Sequence, residues 1–218
     1  MSNSTETKNL CGLNRKDFQT TINGKKTDLY ILRNRKGYEV AISNYGGAIC
    51  AIMVPDKDGN VANVIHGFDS IQALMETNEI YRSTLIGRYG NRICKGKFTL
   101  NGKDYQLALN DGPNHLHGGN VGYNMKVWDA RQMGPRSLAL NLTSPYGEEG
   151  FSGEVKLTVE FTFTDDNEIV IEYLATTNKK TIICLTHHAF FALAGIANPT
   201  PTIEEQICEI NADFYLPI

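Results

Sequence analysis

From residue 155 to residue 163 the chain alternates without a break. Val155, Leu157, Val159, Phe161 and Phe163 fall on one side, and Lys156, Thr158, Glu160 and Thr162 on the other. Successive strand residues point to opposite faces, so a period of two predicts a half-buried strand and excludes an amphipathic helix. Asp165-Asp166-Asn167 then turns the chain into residues 168–175, where Ile169, Ile171 and Tyr173 repeat the pattern. The two runs are expected to pair as an antiparallel hairpin. Two Asn-Gly pairs give the same kind of signal, because both central residues of a two-residue hairpin turn take positive φ. Asn23-Gly24 separates residues 18–22 from 27–32, and Asn101-Gly102 separates residues 97–100 from 105–107.

Further strands are predicted at 38–43, 48–54, 126–130, 137–143, 180–186 and 204–210, with one short helix at 70–77 capped by Asp69. Many short strands, almost no helix and no internal repeat predict an all-β fold, a sandwich or barrel of antiparallel strands. No linker composition interrupts it, so residues 1–218 are expected to form one domain. The end is unusual: residues 211–218 are apolar and aromatic where chain termini tend to be polar, and the chain is expected to stop inside that domain.

Charge narrows the partners. A net charge of −3 from 21 basic and 24 acidic residues supplies no field for a phosphate backbone or an anionic bilayer, so neither nucleic acid nor membrane is expected as a partner. The first residues lack the apolar core of a signal peptide, and no segment approaches the roughly 18 apolar residues of a membrane span. Cys11, Cys50, Cys94, Cys184 and Cys208 are scattered, with no Cys-x-x-Cys pair. Reduced thiols in a cytoplasmic protein are expected, and no cofactor or metal.

Four of the five histidines fall in two short clusters. His115 and His117 lie in Pro113-Asn114-His115-Leu116-His117-Gly118-Gly119, where paired glycines let a ligand or another backbone come close. His187 and His188 end a predicted strand, where a scaffold aims side chains into a cleft. Each could instead be a hydrogen-bonded structural residue. Adjacent strand residues face opposite ways, so His187 and His188 are expected to differ in role, with one of each pair structural. His66 stands alone after Val64-Ile65 and reads as an ordinary strand-end residue. A third segment, Ile86-Gly87-Arg88-Tyr89-Gly90-Asn91-Arg92-Ile93, offers guanidinium and amide groups suited to hydroxyl and ring oxygens, without the lysine and hydroxyl of a phosphate loop.

In sequence order these segments resemble the aldose 1-epimerase, or galactose mutarotase, family. The resemblance runs from Asn44-Tyr45-Gly46-Gly47 through residues 87–96 and 113–119 and Gly147-Glu148-Glu149-Gly150-Phe151 to Leu185-Thr186-His187-His188, and ends on residues 212–217. It implies a large antiparallel β-sandwich that holds a small aldose sugar. It implies that His188 is the catalytic acid, that Asn91, Arg92 and His117 bind the sugar, and that Phe190 sits where the family often has a tyrosine. The reaction implied is the interconversion of α and β hexose anomers by ring opening. The family's general base is a glutamate beyond the segment at 212–217, so this chain is expected to lack it, and Glu148 and Glu149 match a loop with no role in proton transfer. His187, Phe190 and Ala192 depart from the family's usual asparagine, tyrosine and asparagine. The alternative is a sugar-binding or regulatory protein without catalysis. A cupin-like metal site on His115-x-His117 is disfavoured, because Asn120 and Val121 stand where that pattern needs a carboxylate.

Overall fold

The computed structural model describes residues 9–197, 203–204 and 206–215. Its frame is two antiparallel four-stranded sheets, each a meander in chain order. The first sheet is Leu29–Arg33, Glu39–Ser43, Ile49–Pro55 and Val61–Asn63. The second is Asp129–Gly134, Ser137–Ser144, Val155–Phe163 and Ile169–Thr177.

The alternating run behaves as its period requires. Val155, Leu157, Val159, Phe161 and Phe163 are all buried, and Phe163 pairs with Ile169 across the turn. They share one apolar core with Leu32, Val40, Ile42, Ile49 and Ile52 of the first sheet, so the two sheets pack face to face as a β-sandwich. Both Asn-Gly turns form as predicted. Asn23 and Gly24 have φ of 50° and 79°, and Asn101 and Gly102 of 52° and 73°, between the short pairs Thr21–Ile22 with Lys25–Lys26 and Lys97–Leu100 with Lys103–Gln106.

Other expectations need correction. The helix is Ile71–Glu76, and its cap is Ser70, whose hydroxyl accepts the Ala73 N–H at 3.2 Å; Asp69 only supports that hydroxyl. The strand predicted at 126–130 is Asp129–Gly134, because a tight turn at Tyr123–Met125 leads into it and Val127 makes only an isolated bridge to Tyr45. Of residues 180–186 only Thr186 enters a strand, Thr186–His187, while Cys184 forms a single bridge with Tyr89. The described residues of 204–210 carry no strand. Ile207 and Ile210 are 97% and 74% exposed there, and a strand pattern without a neighbouring ladder has nothing to hold it. Residues 216–218 of the apolar end lie outside the described residues. Among the described residues no helix is long and apolar enough to cross a membrane.

Candidate active site

One segment organises the site. Leu85–Ile86 pairs with Thr186–His187, and a few residues on, Arg92–Ile93 pairs with His115–Leu116, Ile93 opposite His115 and Arg92 opposite Leu116. The arginine loop therefore lies between the two histidine-bearing segments and hydrogen bonds to both. His188 is fixed through its backbone: its N–H donates to the Thr84 carbonyl at 2.8 Å, and its own carbonyl accepts the Ser83 N–H at 2.9 Å.

The imidazoles of His117 and His188 meet edge to face, with ring centroids 5.1 Å apart. The Phe190 ring lies 5.2 Å from that of His188, tilted by 42°. His117 is held in one tautomer. The Asn91 N–H donates to its Nδ1 at 2.9 Å, and the His117 N–H returns to the Asn91 carbonyl at 3.2 Å. An Nδ1 that accepts puts the ring proton on Nε2. Both residues take left-handed backbone, φ 64° at Asn91 and 51° at His117, which is what closes this reciprocal pair. Burial, with the neighbouring charges of His188 and Arg92, lowers the His117 pKa to about 4, and Asp111 opposes the shift. His117 is therefore a neutral hydrogen-bond donor at neutral pH.

Arg92 is half exposed. Its Nε donates to Asp111 Oδ2 at 2.7 Å, and its backbone N–H is held by Asn91 Oδ1 at 2.9 Å. Its Nη1 lies 3.5 Å from Asn91 Oδ1, and its charge is near enough to His117 to disfavour protonation of that imidazole. Gly118 explains how the loop packs so tightly: at φ +91°, a Cβ there would stand 1.8 Å from the Gly87 carbonyl oxygen. Only glycine fits that approach.

The other histidines turn away. His115 is fully buried, its Nδ1 is 2.9 Å from the Ala108 carbonyl, and its ring stands edge-on to Phe151. His187 faces the core, edge-on to Phe161 with Nε2 3.3 Å from the Gly47 carbonyl, and burial lowers its pKa to about 4. Each pair thus has one core residue and one at the cluster. The strand rule separates the neighbours His187 and His188, whereas His117 lies two residues from His115 and diverges because the chain leaves the strand His115–Leu116 on left-handed backbone, φ 51° at His117. His115 and His117 do not point at a common ligand position. His66 lies apart, lining a cavity of about 400 Å³ with Cys11, Asn63, Phe68 and Arg82.

Arg88, which by sequence stands level with Arg92, is buried and structural. Its guanidinium donates to the Ser152 and Gly153 carbonyls at 2.7 and 3.0 Å and to Ser144 Oγ at 2.6 Å. Glu148 accepts from Ser144 Oγ at 2.5 Å and from Lys126 at 2.6 Å, and Glu149 accepts the Asn120 and Val121 N–H groups at 2.8 and 3.0 Å. Both carboxylates are committed to holding loops. Sequence reasoning missed Tyr81, whose ring lies 4.7 Å from His117, as well as Asn110 and Asp111. Asp111 is signalled only by the Asp-Gly-Pro turn before the histidine motif, and Tyr81 by nothing local.

Fold and cluster together define an antiparallel β-sandwich that gathers two imidazoles and a guanidinium in one cluster. The family model for aldose 1-epimerase matches residues 28–218. The chain is 39% identical to galactose mutarotase from Bos taurus over 179 residues, which is 82% of this chain and 51% of that protein. It is 34% identical to aldose 1-epimerase from Haemophilus influenzae, over 92% of this chain and 58% of the relative. Among solved structures, galactose 1-epimerase from Lactobacillus acidophilus superposes with a TM-score of 0.72 at 28% identity, covering 80% of this chain and 51% of that one. The aldose epimerase homologue from C. elegans gives the same TM-score at 27% identity, over 76% of this chain and 50% of that one. The chain belongs to the aldose 1-epimerase family, and it spans about half the length of the curated relatives it matches.

Proposed function

We propose that this chain carries the acid-bearing, sugar-gripping part of an aldose 1-epimerase that interconverts the α and β anomers of hexoses such as glucose or galactose. The observation that carries the reading is the meeting of His117 and His188 at 5.1 Å beside Arg92, brought together from separate motifs by one shared segment.

Ring opening needs a proton delivered to the ring oxygen while the anomeric hydroxyl loses one. The bond from C1 to the ring oxygen breaks as the C1 carbonyl forms; rotation about C1–C2 and closure reverse both transfers on the opposite face. His188 is the proton donor to the ring oxygen in this reading, a step worth about 10²–10⁴-fold when well placed. His117 donates through Nε2–H to a sugar hydroxyl, Arg92 and Asn91 grip neighbouring hydroxyls, and Phe190 lies against the carbon face of the sugar. Asp111 is already engaged by Arg92, and Glu148 and Glu149 hold loops, so the base is left to the family's glutamate, which the resemblance places beyond the segment at 212–217. Five cysteines, all free thiols, support a reducing, cytoplasmic setting.

Polarimetry of freshly dissolved α-galactose, with calorimetric titration of galactose, tests the reading. Galactose binding that is lost in the Arg92→Ala and His117→Ala variants is expected, with any acceleration of mutarotation lost in His188→Ala. Binding without acceleration would leave a sugar-binding protein, and no binding would sink the proposal.

A further inference from the structure

Tyr81 stands at the centre of the cluster, and no motif led to it. Its ring is edge-on to His117 at 4.7 Å and 6.4 Å from the ring of His188. Its hydroxyl accepts from Asn110 Nδ2 at 3.4 Å. The same amide nitrogen donates to the Leu116 and Gly119 carbonyls at 2.8 and 3.0 Å, and Asn110 Oδ1 accepts the Leu116 N–H at 2.8 Å. Asn110 therefore ties the tyrosine to the loop on either side of His117. At its other end, the Tyr81 carbonyl accepts the Thr84 hydroxyl at 2.8 Å, and the Thr84 carbonyl in turn accepts the His188 N–H. One short turn thus links the backbone of the acid candidate to the ring of its partner.

We propose that Tyr81 is a positioning residue, whose anchored ring walls one side of His117 and holds that imidazole in the single orientation that keeps Nδ1 on the Asn91 N–H and leaves Nε2–H free for a ligand. Asn91 fixes Nδ1 by a hydrogen bond, and His188, Arg92 and Asp111 also act on His117 as charges, the first two disfavouring its protonation and the third favouring it, whereas Tyr81 adds an uncharged aromatic face at 4.7 Å. Burial raises the phenol's own pKa, so Tyr81 is neutral wherever His117 titrates and adds no charge of its own. Desolvation is the largest cause of the low His117 pKa, and an aromatic wall is the kind of neighbour that produces it.

The inference rests on the sugar-gripping role proposed for His117, but its test uses no sugar. Histidine ring resonances are followed by NMR against pH in the full chain, with Tyr81→Phe and Tyr81→Leu. His187 packs on Phe161, buried in the sandwich core, and serves as an internal control for the fold. Tyr81→Phe, which keeps the wall, is expected to leave the His117 midpoint near its original value of about 4. Tyr81→Leu keeps apolar bulk but loses the flat ring and its anchor. It is expected to raise that midpoint by about one unit or more towards the ordinary value near ~6.5 and to mix the two ring tautomers, while His187 stays low. An unchanged His117 midpoint and a single Nε2–H tautomer in Tyr81→Leu would overturn the proposal. So would a joint rise of His117 and His187, which would show loosening of the whole sandwich. A chain that shows the expected histidine response yet binds no galactose keeps this inference and loses the sugar reading.

Discussion

Arg88 and Arg92 lie four residues apart in one motif, and the structure predicts opposite consequences for losing them. The test is Arg88→Met against Arg92→Met, since methionine keeps most of the apolar stem and removes the guanidinium. Arg88 is 2% exposed and makes short bonds to the Ser152 carbonyl, the Gly153 carbonyl and Ser144 Oγ. Ser144 Oγ passes on to Glu148, so the buried cation is balanced through a hydroxyl relay rather than by direct contact. Each hydrogen bond to a charged group is worth about 1.5–3 kcal/mol, but the sum is not additive, and losing the guanidinium also removes its own desolvation cost. Leaving the two carbonyls and Ser144 Oγ without that donor, and Glu148 without the charge relayed to it, places the net loss at about 3–5 kcal/mol, the range for breaking a buried charged network. With a urea m-value of about 2–3 kcal/mol per molar, the unfolding midpoint should fall by about 1–2 M. Arg92 is 43% exposed with one ion pair, worth under about 1 kcal/mol, so its variant should shift the midpoint by less than about 0.5 M. Galactose titration should rank them the other way, Arg92→Met losing affinity at temperatures where the fold is intact. Equal midpoint shifts for the two variants would refute the division of labour drawn from their burial.

Gly118→Ala should behave as a site mutation although it touches no functional group. Its Cβ would meet the Gly87 carbonyl oxygen at 1.8 Å, so the His117 loop must move off the arginine loop, and both the urea midpoint and galactose binding should drop. Stability should also fall in mild acid. His117 and His187 have folded pKa values of about 4 against an ordinary value near ~6.5, so the unfolded chain binds more protons between those limits. Unfolding therefore becomes easier as pH falls through that window, and the contribution flattens below it. His187→Gln removes one of the two groups, and its urea midpoint should decline less between pH 7 and 5; a decline as steep as the parent's would count against neutral burial of His187. Asp111→Ala frees the Arg92 Nε, and because the pair is partly exposed the urea midpoint should barely move. Galactose affinity should still weaken several-fold as the guanidinium loses its orientation, and an unchanged Kd would show that the pair does not aim Arg92.

The parts of this fold that sequence reveals are those whose cause is local. The burial of Val155, Leu157, Val159, Phe161 and Phe163 follows from a period of two within one strand, and the turns at Asn23 and Asn101 from the φ those residues tolerate. Residues 204–210 show the limit: a strand is expected there, yet a strand needs a ladder, and the described residues supply none. The same distinction holds within the site. That His187 and His188 differ in role is a local rule. Which of them turns inward is decided by the Gly47 carbonyl and Phe161, from elsewhere in the chain.

Convergence of the site has a single structural cause. Residues 85–93 pair with the strand before His188 and with the strand that carries His115, and Gly118 sits against Gly87 at the crossing. The lengths of chain between the motifs are then of little consequence; what fixes the cluster is each motif's bond to this one segment. That is why Tyr81 escapes a reading by motif. It enters the cluster only through the turn whose Thr84 carbonyl holds His188, and through Asn110, which holds the loop of His117. A residue placed by two such connections leaves no periodicity or spacing behind it in the sequence. Its role should accordingly be sought in how the two histidines respond to its loss, rather than in any pattern around position 81.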